Sequence, residues 1–260
     1  MSKALHTLAL AVGLGLLASM TAVSAPNPPQ SMSDKKPAIY TYVSLFGVPR
    51  ANWTEYEKAG EKGGKNSQSL VNDGTLLSWG DAAVEVHEGN DAPNYVSWLS
   101  SSSVAGIMKA LDSVRTNAPP TSSINYTMHA DELSVSHVYN YKAGAPAAKF
   151  LLVQSWKIKP GHGDDWNELF NKHRKADLDA LVDSGTLVGY SVEEDLIHTG
   201  APGFESMVLE FPNADSIDKY YASIDQLHDK DPLFGVAFVG IQESAEHRDH
   251  LMRVLASGHK

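Results

Sequence analysis

Two stretches rich in β-branched and aromatic residues, 39–46 and 150–158, predict strands, and each ends close to a proline, Pro49 or Pro160. After each comes a capping residue three positions before a glutamate, Asn52 with Glu55 and Asp165 with Glu168. That spacing predicts a helix start with a variant of the capping box. In the second stretch Trp166, Leu169, Phe170, His173, Leu181 and Val182 mark a largely apolar face at helical spacing. Gly74 and Gly185 stand where a helix C-terminal glycine belongs. Strand pairs follow over 76–87 with 95–99, and over 187–198 with 204–211, each interrupted by glycine and Ala-Pro suited to a hairpin loop. A shorter helix (104–114; 214–224) and a last strand (133–141; 251–255) complete both sets.

The two sets read as copies of one unit. Leu70-Val71-Asn72-Asp73-Gly74-Thr75-Leu76 returns 111 residues later as Leu181-Val182-Asp183-Ser184-Gly185-Thr186-Leu187. The same shift carries Ser44 to Ser155, Pro49 to Pro160, His87 to His198 and Gly89 to Gly200. Further matches are collinear: Ala92-Pro93-Asn94-Tyr95 with Ala201-Pro202-Gly203-Phe204, and His129-x-Asp131-x-Leu133 with His247-x-Asp249-x-Leu251. Each unit has the order βαββαβ, the ferredoxin-like arrangement, which leaves one sheet face apolar and in need of a partner. The expected fold is α+β: two tandem ferredoxin-like repeats, residues 37–142 and 149–260, joined by a 143–148 linker. They are expected to pack sheet to sheet as an intramolecular barrel.

This element order, the duplication and the Pro-Gly-x-Gly-x-x-Trp run at Pro160, Gly161, Gly163 and Trp166 carry a resemblance. Over residues 37–258 the chain resembles the dimeric α+β barrel superfamily, which includes antibiotic-biosynthesis monooxygenases, NIPSNAP-like proteins and stress-response barrels. The resemblance implies a barrel made from two units, here fused. For an enzyme it implies cofactor-independent oxygenation of an electron-rich aromatic substrate. Haem-binding members use a helical histidine as iron ligand, and His173 is the residue that would correspond. The monooxygenases' asparagine–tryptophan–histidine set has no clear match; Ser44 and Ser155 are the polar residues shared by the two first strands.

Lys3, the apolar run 8–17 and the small residues Val23-Ser24-Ala25 predict a bacterial signal peptide cleaved after Ala25. The run is shorter than the roughly 20 residues that cross a bilayer, so no membrane span is expected after cleavage. Residues 26–36, opening with Pro26-Asn27-Pro28-Pro29, read as an exposed linker. The implied location is periplasmic or secreted, which suits a chain without cysteine. Missing cysteine also removes disulfides, thiolate metal sites and cysteine nucleophiles. Acidic residues outnumber basic ones 31 to 21, which argues against nucleic acid or anionic lipid as partners.

Candidate chemistry is sparse. The nearest phosphate-loop register, ending Gly64-Lys65, has Ala59 for its first glycine and Asn66 for its hydroxyl, and is rejected. Ser100 to Ser103 read as a polar strand-to-helix connection, since a serine nucleophile needs an oriented histidine. His87 and His198 end matching strands and are candidates for acid–base or ligand roles at a barrel mouth, or for bonding the hairpin backbone. His129 with Asp131, and His247 with Asp249, share strand faces, with His250 a further candidate ligand, but the spacing fits no metal motif and no metal is expected. Tyr42, Trp79, Trp98, Trp156 and Tyr190 lie on predicted strands and are the candidate lining for a flat organic ligand held between sheet and helices.

The leading expectation is a monomeric, pseudo-dimeric barrel that binds a small apolar molecule without a cofactor, with monooxygenase-like activity as its enzymatic form. The alternatives are a non-catalytic structural or stress-related periplasmic protein, and a haem-binding barrel using His173.

Overall fold

The computed structural model describes residues 36–86, 92–117, 124–197 and 203–260. The proposed leader, His87 and His198 lie outside them. Strand β1 (Ile39–Gly47) leads to α1 (Trp53–Asn72), β2 (Ser78–Val84), β3 (Tyr95–Ser101), α2 (Val104–Asn117) and β4 (Met128–Tyr141). The order then resumes with β5 (Phe150–Lys157), α3 (Gly163–Leu169), a π-helical turn (Phe170–Arg174) and α4 (Lys175–Asp183). Strands β6 (Gly189–Ile197) and β7 (Phe204–Phe211), helices α5 (Ala214–Lys230) and α6 (Pro232–Gly240), and β8 (Arg248–His259) complete it. Helix α6 was not foreseen. Pro232 starts it, and its sequence is apolar on all sides and so carries no helical period.

The strands form one closed barrel in the order β1-β3-β2-β8-β5-β7-β6-β4, every neighbour antiparallel. Each half contributes four adjacent strands in the same relative order, β4-β1-β3-β2 and β8-β5-β7-β6. The expected packing of sheet upon sheet is therefore corrected. The halves join through their edges, β2 on β8 and β4 on β6. A free edge leaves a row of N–H and C=O groups unpaired, and closing the barrel pairs both edges of both halves.

Strand register also corrects one match between the halves. Ser44 faces outward and donates its hydroxyl to Asp131 Oδ1 at 2.7 Å. Ser155 faces the lumen, where its hydroxyl lies 2.8 Å from that of Ser206. The structural counterpart of Ser44 is Gln154: it pairs with Asp249 on β8 as Ser44 pairs with Asp131 on β4. Its Nε2 donates to Asp249 Oδ1 at 3.1 Å. Side chains alternate along a strand, so a slip of one residue exchanges lumen for exterior. The first strands thus correspond at a shift of 110 and the helix ends at 111. The π-helical turn at Phe170–Arg174 accommodates the extra residue in a helical stretch that α1 spans unbroken.

Gly74 and Gly185 end their helices as expected, with φ of 83° and 78° in the left-handed region. The capping boxes do not form. Neither Asn52 nor His162, the residues preceding α1 and α3, makes a side-chain cap. Asp165 lies inside the first turn of α3, with its carboxylate 2.6 Å from His162 Nδ1.

The helices cover the outside of the barrel. Trp166, Phe170, Leu178, Leu187, Tyr190, Phe211 and Tyr220 fill that layer in the second half; Leu70, Val71, Leu76 and Ile107 do so in the first. A separate apolar cluster lies within the barrel: Ala82, Val84, Val96, Leu151 and Met252.

Candidate functional site

Because the sheet-to-helix layers are filled, the expected pocket between sheet and helices gives way to one inside the barrel. The lumen holds a cavity of about 450 Å³. Its wall is chemically divided. The odd-numbered β1 residues Val43 and Leu45, with Val96 and Trp98 of β3, Val84 of β2 and Met252 and Val254 of β8, form an apolar arc. The Trp98 indole packs against Gly80, where any Cβ would collide with it.

The opposite arc, on β4, β6 and β7, carries Glu132, Ser134, Ser136, Ser191, Glu193, Asp195, Ser206 and Glu210. Alternation explains it: residues two apart on a strand enter the same space. Ser134 Oγ donates to Glu193 Oε2 at 2.6 Å, and Ser191 Oγ donates to Oε1 at 3.0 Å. The hydroxyls continue across the wall, with Ser134 Oγ 3.3 Å from the Thr41 carbonyl and Thr41 Oγ1 3.1 Å from Ser100 Oγ.

Burial dominates the electrostatics of this arc. Removing a carboxylate from water penalises its charged form. Burial pushes Glu193 above the usual glutamate range, and the nearby Asp195 adds to this although both serine hydrogen bonds oppose it. Glu210 is pushed up to about 7 by burial and by the charge of Glu193. Glu132 is raised by burial and then by Asp195 and Glu193. Such a wall can hold a proton near neutrality at Glu210, accept one from a ligand there, or receive a positive charge.

The five aromatic candidates divide between the two sides of the wall. Trp98 lines the lumen, and the edge of Trp79 reaches it while its Nε1 donates to Gln68 of α1 at 3.1 Å. Tyr42 packs outside with Leu70 and Leu76. Trp156 stacks on His247 with ring centroids 5.4 Å apart, also outside. Tyr190 is buried beneath α4 and donates its hydroxyl to Asp179 at 2.8 Å.

The histidines do not gather. His129 Nε2 lies 3.1 Å from Asp131 and His247 Nε2 lies 3.4 Å from Asp249, two separate pairs on the outer face. His250 alone of this group faces the lumen. Among the described residues no group of three histidine, aspartate or glutamate side chains is placed to hold a metal ion.

His173 stands in the π-helical turn with Nδ1 2.6 Å from Asp231. The side chains around it do not fit haem. Stacked Trp166 and Phe170, with Phe238 against Trp166, fill the sheet-to-helix layer in this half and leave no room there for a macrocycle. The buried Trp166 Nε1 has no hydrogen-bond partner among the described residues, and its indole is enclosed by apolar rings.

Sequence reasoning missed the acidic arc. Its signal was present as Glu132-x-Ser134-x-Ser136 and Ser191-x-Glu193-x-Asp195, polar residues at the strand period. On an edge strand exposed to water that pattern is ordinary, and only barrel closure turns it inward.

No family model matches the chain, and no curated protein matches it. Solved structures do. A candidate monooxygenase from Lactobacillus acidophilus NCFM aligns with a TM-score of 0.62 at 10% identity, covering 86% of this chain and 97% of that one. A second candidate monooxygenase, from Fusobacterium nucleatum subsp. nucleatum, gives 0.62 at 12% identity and covers 86% and 94%. An anthrone oxidase-like protein gives 0.54 at 11% identity and again covers 86% and 94%. At these identities the likeness is one of fold. The chain therefore has an α+β barrel fold of the kind its resemblance implied, shared with these proteins, with a single polypeptide supplying all the strands.

Proposed function

We propose that this chain is an exported small-molecule-binding barrel, built by duplication of a ferredoxin-like unit, whose ligand occupies the lumen. The observation that supports the reading is the divided cavity: about 450 Å³, apolar on one arc and hydroxyl- and carboxylate-lined on the other. Ligand sites are typically about 300–1,000 Å³, mostly apolar, with a few placed polar groups. An eight-stranded barrel whose side chains only had to fill its interior would leave no such space.

A thermal-shift screen of small molecules tests it, because a ligand that binds only the native state raises the melting temperature. Val208→Trp would fill the lumen from β7. Hits are expected to lose their shift in that variant and keep it in Tyr42→Phe, which alters the outer layer. Hits indifferent to Val208→Trp would sink the lumen reading. Export is tested by the intact mass of protein recovered from a bacterial periplasm, expected to begin at Pro26.

A second reading, monooxygenase-like catalysis, is favoured by Glu210. A carboxyl pushed up to about 7 is matched to accepting a proton from a phenolic substrate near neutral pH. Oxygen uptake with hydroxylated aromatics, abolished by Glu210→Gln, is the expected result. Uptake unchanged in that variant would remove Glu210 from any such role.

A further inference from the structure

The lumen reading leaves a charge imbalance unexplained. Glu193 is met by the neutral hydroxyls of Ser134 and Ser191. The Glu210 carboxylate is enclosed by protein yet reachable from the cavity, and it receives no hydrogen bond from any described residue. Among the described residues no arginine lines the cavity. Lys142 reaches the lining but gives its Nζ to the Asp183 carbonyl at 2.9 Å; His250, His259 and Lys260 also line the cavity, yet neither Glu193 nor Glu210 is lowered by a cationic neighbour. A carboxylate held away from water without a counter-charge is costly, and it is retained where a partner of opposite charge completes it.

The facing wall restricts what that partner can be. Trp98, Val96 and Met252 offer an indole face and aliphatic surface, with nothing there to solvate a bare ion. A metal ion is disfavoured as well, because no three ligating side chains converge among the described residues. What suits both walls is one molecule with a positive nitrogen and an apolar body.

We infer that the lumen binds an organic ammonium compound, a protonated primary or secondary amine, whose nitrogen meets Glu193 and Glu210 and whose apolar body lies against Trp98 and Met252. This rests on the lumen being the ligand site and goes further by naming the ligand class. The ammonium supplies N–H donors to the free Glu210 oxygens and to the lone pairs of Glu193 that the serines leave open. The indole adds cation–π attraction if the charge lies over its face.

Three probes of one shape and different charge test the proposal on the intact protein: phenethylamine, phenethyl alcohol and hydrocinnamate. Isothermal titration is run at about pH 8, where Glu210 is ionised. The amine is expected to bind tightest, the alcohol at least about tenfold more weakly, and the carboxylate not at all. Glu210→Gln keeps the side-chain shape and should weaken the amine at least about tenfold while leaving the alcohol unchanged. Asp112→Asn, an exposed change on α2, should alter neither. Circular dichroism and melting curves check that the variant is folded. Should it not fold, Glu193→Gln and the amine-to-alcohol ratio on the native sequence still decide the matter. An alcohol or carboxylate that binds as tightly as the amine, or an amine indifferent to Glu210→Gln, overturns the proposal. If that ligand is displaced by Val208→Trp, the lumen reading survives. Binding that persists in Val208→Trp sinks both, and no binding by any probe overturns the amine assignment.

Discussion

The two seams that close the barrel have the same backbone pairing and opposite chemistry. At β2–β8 the lumen-facing residues are Ala82, Val84, Met252 and Val254, and the seam is apolar. At β4–β6 the positions that match them are Glu193, Asp195, Ser134 and Ser136. The correspondence is position for position, at a shift of 111 from β2 to β6 and of 118 from β4 to β8. Backbone hydrogen bonds do the joining, so side chains on the lumen face are free to diverge. One seam supplies core burial. The other buries carboxylates at a cost in stability, as expected where a local choice serves a site rather than the fold.

The sharpest way to break this contrast is to make the seams alike. Met252→Glu sets a carboxylate in the apolar seam without serine donors, and urea unfolding should register a loss on the order of 3–5 kcal/mol. A loss below about 1 kcal/mol would mean that the seams are interchangeable.

Rising pH should next expose the carboxylates beside the polar seam, on β7. Glu210, pushed up to about 7 by burial and Glu193, retains in the native state a proton that the unfolded chain has lost. Glu205, on the outer face of β7, is pushed up to about 8 by burial and by Glu194 and Asp195, and behaves alike. The folded state therefore binds more protons than the unfolded one over this window. Stability is fullest below about pH 4.5 for these groups and falls as pH rises towards about 8, by on the order of 3 kcal/mol from Glu210. Denaturant midpoints across that range measure it. Glu210→Gln should flatten the slope and leave the protein more stable at about pH 8; an unchanged slope would show that Glu210 is not the group responsible.

Smaller changes sharpen the picture. Ser134→Ala removes the 2.6 Å donor to Glu193 and should cost about 1–2 kcal/mol. At the matching position of the other seam, Met252→Leu exchanges one apolar side chain for another of similar volume and should cost less than about 1 kcal/mol. Equal costs at the two positions would argue that the Ser134 hydroxyl contributes nothing.

Much of the fold was legible because its signals are local. Gly74 and Gly185 each require a left-handed residue after a helix, so the matching heptapeptides located two helix ends. The strands around 39–46, 150–158 and 204–211 stood out by their β-branched and aromatic content. The capping boxes failed for a local reason too: Asp165 has His162 beside it and sits past the helix start. The equation of Ser44 with Ser155 failed because a sequence shift carries no face. One added residue in the π-helical turn changes the offset between the halves, and the strand pairing with β4 and β8 reveals it.

By itself the sequence determined the βαββαβ order, the helix ends and the absence of thiol chemistry, all of which depend on residue type and short spacing. The tertiary structure decided which face of each strand meets water. Trp156 and Tyr190 went under helices while Glu193 and Glu210 went inside, because closing the sheet through its edges makes one face of every strand a common interior. That closure joins β4 to β6 and β2 to β8, strands far apart in the chain, and no short-range pattern encodes it.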